Sequence, residues 1–344
     1  MIYAVFFNLL IRNRNYYIMD GINIELTTCC PLRCPQCYCS LESGKHIPLE
    51  VAESKILEAA NHGVKIANLS GGETLCYPNL YELINFSSQY GILTNVALSG
   101  WHFTQAVFNK LTESGIGGIY ISLNGSTEEI NSLTRDGYDY AIKALELLSK
   151  TNFKNVYINW VMHSNNCDDF VNVIEIAEKY NVTNLVVLSF KPDSSHNLKS
   201  FPSGKQIIEI ANTIKSYRGP VKIMVETCFS QLLAVIKDTV LFGNLNVGPT
   251  KGCRAGLYNY NINVDGLYSP CRHLDYNENF GSLDEYLNNS SIIKRITAVE
   301  VNKKAPCREC YYKDNCKPCL AVTSKLKGDI FIGHEVCTVW KEQL

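Results

Sequence analysis

From residue 22 onward the chain alternates short β-branched runs with longer stretches whose apolar residues recur every three or four positions. The runs at 22–28, 64–70, 93–99, 119–123, 156–162 and 185–189 have the length and composition of strands. Between them, 48–62, 78–90, 104–114, 138–150 and 167–180 carry helical periodicity. In the first of these Leu49, Ala52, Ile56, Leu57 and Ala60 share a face, Pro48 suits a first-turn position and Gly63 suits a stop. Strand and helix alternating in this way predict an α/β fold of parallel βα units. In such a fold the loops at the carboxyl ends of the strands build the active site.

Beyond Pro192 the alternation loosens. Residues 193–203 are polar and serine-rich, as at a domain edge, and are followed by a predicted helix over 205–217, a strand over 221–226 and a helix over 229–241. At the other end, residues 2–11 form an apolar run interrupted by Asn8 and followed by Arg12 and Arg14. A signal peptide places its basic residues first, and about ten residues are too few to span a bilayer. Residues 1–20 therefore read as an extension: an accessory strand, an arm or an over-read start.

Composition narrows the class. At 344 residues and 46% hydrophobic, the chain can bury the cores of about two domains. Its 32 basic and 33 acidic residues nearly cancel, so neither a nucleic-acid nor a membrane partner is signalled. Fifteen cysteines are the departure. They fall in Cys-x2-Cys and Cys-x3-Cys sets, which fit metal centres in a reducing cytoplasm better than the disulfides of small secreted domains.

Cys30, Cys34 and Cys37 stand in the first predicted βα loop. An electron-transfer 4Fe-4S cluster uses four thiolates, so a three-thiolate site leaves one iron open to a small molecule. On spacing alone a zinc site remains an alternative. The second strand ends in Ser70-Gly71-Gly72-Glu73, where two glycines admit close backbone approach and a carboxylate can hold an ammonium group. Toward the C-terminus come Cys253, Cys271, Cys307, Cys310, Cys316, Cys319 and Cys337. The paired Cys-x2-Cys steps among them suit a zinc ribbon or iron equally.

Taken together, these motifs resemble the radical SAM superfamily, in the form that carries a C-terminal SPASM domain. The resemblance implies a partial (β/α)6 TIM-like barrel over 21–200, a bridging region over 201–252 and an auxiliary-cluster domain over 253–344. It implies that Cys30, Cys34 and Cys37 hold a 4Fe-4S cluster whose open iron binds S-adenosylmethionine. Gly71, Gly72 and Glu73 would hold the methionyl amino group, Ser122 would face the ribose and Arg135 would meet the carboxylate. Gln36 replaces the aromatic residue usual before the third cysteine, and Tyr38 is expected to supply its packing. The family's interleaved order assigns Cys307, Cys310, Cys316 and Cys337 to an outer auxiliary cluster and Cys253, Cys271 and Cys319 to an inner one. Cys228 is the candidate fourth inner ligand; otherwise that iron is open to substrate. Cys29, Cys39, Cys76 and Cys167 read as buried hydrophobes, with Cys76 also placed to donate a hydrogen atom. Ser99 is given no role, His273 reads as a solvated surface residue, and no general base is assigned.

The activity implied is reductive cleavage of S-adenosylmethionine to a 5'-deoxyadenosyl radical that abstracts hydrogen from a ribosomal precursor peptide, giving a thioether or another cross-link. A flavodoxin or ferredoxin would supply electrons; residues 1–20 are too few for a winged-helix peptide-binding domain, so leader binding would fall to a separate peptide-recognition protein or to the barrel rim. The alternatives are a formylglycine-generating sulfatase maturase and a non-catalytic iron-sulfur or zinc protein. Against the former, Arg272 follows Cys271 where such enzymes carry an aspartate.

Overall fold

The six strands predicted in the alternating region form, as does the predicted strand over 221–226; the six lie side by side and parallel: β1 Gly21–Glu25, β2 Ile66–Ser70, β3 Leu93–Leu98, β4 Gly118–Ser122, β5 Val156–Met162 and β6 Asn184–Ser189. This computed structural model describes residues 19–39, 44–192, 200–237, 252–301, 307–310, 317–327, 330 and 337. A seventh parallel strand, β7 Lys222–Val225, extends the sheet beyond β6. At the opposite edge β8 Asn259–Ile262 pairs parallel with β1, and β9 Tyr268–Ser269 pairs antiparallel with β8. The strand order is β7-β6-β5-β4-β3-β2-β1-β8-β9. One sheet therefore joins strands of residues 21–225 with those of residues 259–269.

The intervening helices are α1 Leu49–Asn61, α2 Leu80–Gln89, α3 Gln105–Glu113, α4 Glu128–Ser132, α5 Tyr138–Ser149 and α6 Phe170–Lys179. Each longer helix buries one stripe. In α6 this is Phe170, Val173, Ile174 and Ala177, spaced to fall on one side of a 3.6-residue helix. After β6 come α7 Gly204–Ser216, capped reciprocally by Ser203 and Gln206, and α8 Ser230–Lys237. Toward the C-terminus follow α9 Leu283–Asn289, α10 Ser291–Val301 and α11 Leu320–Lys327. No helix among the described residues is long and apolar enough to cross a membrane.

Parallel sheets are usually covered on both faces. Here the strands alternate, because only one face is packed under helices. In β5 Val156, Ile158, Trp160 and Met162 are buried, whereas Tyr157, Asn159 and Val161 are half-buried on the other face. That second face carries a side-chain ladder in which Asn95 Nδ2 donates to Asn68 Oδ1 at 3.1 Å and Asn68 Nδ2 to Asn23 Oδ1 at 3.2 Å. The Tyr120 and Tyr157 rings stack beside it at 4.1 Å. This polar, half-open face forms the wall of a partial barrel.

Trp160 is fully buried and its Nε1 donates to the Asn124 carbonyl at 3.2 Å. Trp160→Ala should cost about 3–5 kcal/mol through the cavity it leaves, measured as a fall in the urea midpoint with an unchanged slope.

Candidate active site

The carboxyl ends of the parallel strands open into a cavity of about 1150 Å³, counted out to solvent at its mouth. Its wall carries Cys30, Cys34 and Cys37 from the loop after β1, Gly71, Gly72 and Glu73 from the loop after β2, Ser122 from the end of β4, and Arg135. The positions expected to hold the first cluster and its cofactor thus meet in one space.

Backbone hydrogen bonds on two sides fix the cysteine loop. On one, the Gly72 amide donates to the Thr27 carbonyl at 2.6 Å and the Glu73 amide to the Cys29 carbonyl at 2.8 Å. A Cβ at Gly71 would strike the Thr27 backbone, and one at Gly72 the Cys29 carbonyl, so the approach requires glycine at both. On the other, the Gln36 amide donates to the Thr134 carbonyl at 3.1 Å and the Arg33 amide to Asp136 Oδ2 at 3.3 Å. Between these anchors the Cys37 amide closes a turn onto the Cys34 carbonyl at 3.0 Å.

Arg135 reaches the wall through residues that carry no sequence motif. Asn131 is buried in α4; its Nδ2 donates to the Arg135 carbonyl at 2.8 Å, and its own carbonyl accepts from the Arg135 amide at 2.7 Å. Asn131 Oδ1 also accepts from the Asn124 amide at 2.8 Å, while Asn124 Oδ1 accepts from the Val161 amide on β5 at 3.0 Å. The arginine is therefore positioned by β4 and β5 through two buried asparagines.

Ser99, expected to have no role, holds Glu73. Its amide donates to Glu73 Oε2 at 2.8 Å, and its hydroxyl donates to the same oxygen. Glu73 Oε1 accepts from the Leu75 amide at 3.2 Å. Burial raises the Glu73 carboxyl above its ordinary range, and these donors oppose the rise.

Cys39 also differs from expectation. It lines the cavity, and its Sγ donates to the Gly71 carbonyl at 3.6 Å. Hydrogen bonding from Cys39, aided by Arg135 and Arg272 and opposed by burial, lowers Cys37 to about 6, so a thiolate is accessible near neutral pH. Cys76 neighbours Cys29 and is absent from the cavity wall. Cys167 is buried, its Sγ donating to the His163 carbonyl at 3.1 Å, in keeping with its reading as a core residue.

His273 is not a solvated surface residue. The Leu274 amide donates to the Cys271 carbonyl at 3.0 Å, and this turn carries Arg272 and His273 to the barrel mouth, where both line the cavity. The His273 ring lies 4.1 Å from that of Tyr38, which packs at the expected place, and the Arg272 guanidinium lies 4.9 Å from the Tyr38 ring. Lys191 and Glu226 form an ion pair on the same wall. Burial lowers the His273 imidazole well below its ordinary value, aided by Lys191, Arg272 and Lys325, which leaves it neutral at pH 7.

A second cysteine group stands behind this wall. Cys253 and Cys319 belong to a separate apolar cluster with Leu257, Ile292 and Ile296, and Cys228 and Cys271 pack against it. The Cys319 thiol neighbours those of Cys228 and Cys253, and Cys271 lies in the field of Cys253. Cys307, Cys310 and Cys337 are half-buried, and Cys316 lies outside the described residues.

The radical SAM superfamily model matches residues 24–177, the stretch that contributes Cys30, Glu73, Ser122 and Arg135. That stretch is therefore similar to the radical SAM superfamily. Over 332 residues the chain is 23% identical to an AdoMet-dependent heme synthase from Methanosarcina barkeri, spanning 91% of this chain and 94% of the relative. It is 30% identical over 165 residues to the mycofactocin maturase MftC of Mycolicibacterium smegmatis, an alignment that spans 46% of this chain and 42% of that protein. The crystal structure of Streptococcus suis SuiB bound to precursor peptide SuiA superposes with a TM-score of 0.76 at 16% identity, covering 96% of this chain and 78% of that one. The fold shared with SuiB therefore extends past residues 24–177 into the cysteine-rich C-terminal region.

The donor set suits the family's cluster and cofactor. Three thiols line one wall, one of them readily ionised. Among the described residues no His, Cys, Asp or Glu trio converges on a point as a single ion requires. Buried polar atoms without partners, Arg135 Nε among them, mark a cavity built for a polar ligand.

Ser99→Ala should destabilise the protein by about 1.5–3 kcal/mol at pH 7, the value of a hydrogen bond to a charged group. Because the Ser99 hydroxyl favours ionised Glu73, the loss should be full above the Glu73 pKa of both proteins, the variant's being the higher, and fade as pH falls through them; urea titrations at several pH values read this directly.

Proposed function

We propose that the protein is a radical SAM peptide maturase. The observation that carries the reading is the single cavity. On one side it joins the Cys30, Cys34 and Cys37 wall, Gly71–Glu73, Ser122 and Arg135; on the other lie Lys191, Glu226, Arg272 and His273, next to the second cysteine group. A substrate in this space would lie between two sets of metal ligands. The likeness to MftC and to SuiB with its precursor peptide supports a peptide as that substrate.

In this reading Cys30, Cys34 and Cys37 hold a 4Fe-4S cluster. Cys228, Cys253, Cys271 and Cys319 hold the inner auxiliary cluster, and Cys307, Cys310, Cys316 and Cys337 the outer one. When bound, the reduced cluster and S-adenosylmethionine supply the 5'-deoxyadenosyl radical that takes hydrogen from the peptide. The chain's own contribution is placement. Glu73, braced by Ser99, receives the methionyl ammonium; Arg135, set by Asn131, receives its carboxylate; Ser122 faces the ribose. Leu188 and Phe190 provide an apolar wall that keeps water from the reacting centre. A flavodoxin or ferredoxin and a separate peptide-recognition protein complete the system.

Arg272 on the cavity wall, in place of an aspartate, argues against the formylglycine-generating alternative. A non-catalytic carrier would not require the cofactor side of the cavity. The near end-to-end match to a heme synthase supports a second reading, a tetrapyrrole substrate in the same space, which displacement of bound peptide by a porphyrin would favour.

Anaerobic reconstitution should load about twelve irons per chain, and dithionite with S-adenosylmethionine should yield 5'-deoxyadenosine. Replacing Cys30, Cys34 and Cys37 together by Ala should abolish that product and leave about eight irons; cleavage retained in the triple variant defeats the assignment. Cys228→Ala should alter the electron paramagnetic resonance signal of the inner cluster, whereas an unchanged signal and iron count would make that site a three-cysteine one.

A further inference from the structure

Among the described residues five charged side chains line the cavity: Glu73, Arg135, Lys191, Glu226 and Arg272. Lys191 and Glu226 neutralise each other as an ion pair, and Glu226 Oε2 also accepts from the Ser189 amide at 3.2 Å. Glu73 and Arg135 match the two ends of the cofactor's methionyl zwitterion in the reading above. Arg272 is left over.

Among the described residues no carboxylate forms an ion pair with it, although Tyr38, Glu25, Cys39 and Cys271 together favour its charged form against burial. Glu25 lies in its field but makes no ion pair with it, and Glu25 Oε1 instead accepts from Asn261 Nδ2 at 2.9 Å. Arg272 Nε is buried without a hydrogen-bond partner, as is His273 Nδ1 beside it on the same wall. The guanidinium is braced against the Tyr38 ring at 4.9 Å, and Tyr38 against His273 at 4.1 Å. Arg272 itself is half-buried, with Nε shielded from water and unpartnered, and the planar guanidinium fork matches a carboxylate through paired N–H donors.

We propose that Arg272 binds a carboxylate of the substrate, so that the peptide presents an acidic side chain or a free C-terminal carboxylate to the cavity. This rests on the peptide-maturase reading and narrows its substrate class. The rival role for Arg272 is to balance the Cys37 thiolate beside the sulfurs of Cys39 and Cys271, in whose field it also lies.

The test titrates four heptapeptides of the sequence Gly-Ala-Gly-X-Gly-Ala-Gly into the reconstituted full chain with S-adenosylmethionine. X is Glu or Gln, and the C-terminus is free or amidated. The unaltered protein should bind a carboxylate-bearing probe about 10- to 100-fold more tightly than the doubly neutral one, and the favoured probe identifies which carboxylate is read. In Arg272→Gln the preference should fall to within about twofold, with iron content and S-adenosylmethionine affinity retained. Arg272→Lys should keep part of it, since it preserves the charge without the fork.

Equal affinity for all four probes, absence of binding included, overturns the proposal. So does a preference that survives in Arg272→Gln, or a substitution that shifts only the cluster spectrum. Formation of 5'-deoxyadenosine by a protein without carboxylate preference removes this inference alone; absence of 5'-deoxyadenosine removes the maturase reading beneath it.

Discussion

Strand β1 is the rail on which both cysteine groups depend. Its carboxyl end leads into Cys30, Cys34 and Cys37, and its flank is hydrogen-bonded in parallel to β8, with Gly21 opposite Asn259 and Ile24 opposite Ile262. Cys253 lies shortly before β8, and Cys271 lies just after β9. The separation between the two groups is therefore set by a backbone ladder rather than by a tether. Side chains reinforce it: the buried Lys55 of α1 donates to the Tyr268 hydroxyl of β9 at 2.6 Å, and Glu58 of α1 accepts from that hydroxyl. Chemistry that depends on two metal groups needs such a fixed spacing, because a displacement of about an ångström can cost a hundredfold in rate.

The same economy governs the loop after β1. It has little regular structure of its own, yet the Gly71–Glu73 backbone holds one side and the Thr134–Asp136 turn the other. Backbone groups satisfy each other across these contacts, which leaves the thiols, Glu73 and Arg135 free to face the cavity. A loop placed in this way resembles a strand-mounted site in precision, because its supports are themselves strand ends.

Much of this was legible in one dimension. β5 occupies the predicted 156–162, and helices α1 and α5 end within a residue of expectation, since long periodic segments with Gly or Pro at their ends carry strong local signals. The cysteine spacing and Gly71-Gly72-Glu73 were legible for a different reason: each is a short local pattern read without any long-range partner. The sheet's full extent was not. β8 has four residues, two of them asparagine, and its place is decided by pairing with β1 more than two hundred positions earlier. Local propensity holds no record of such a partner.

Three of the residues that sequence reading missed act through another residue. Ser99 acts on Glu73, Asn131 on Arg135, and Asn124 on Asn131. A serine at a strand end and an asparagine in a short helix have ordinary local explanations, as a turn former and as a surface polar group. Their burial, at 4% exposure for Ser99 and 1% for Asn131, overrides those explanations. A buried polar side chain must find partners to offset its desolvation, and here those partners are the ligand-facing residues or the backbone that carries them. His273 follows the same logic, because the turn after Cys271 rather than any motif brings it to the cavity wall. In this fold, burial of a polar side chain near the carboxyl end of a strand identifies the positioning residues that spacing alone cannot.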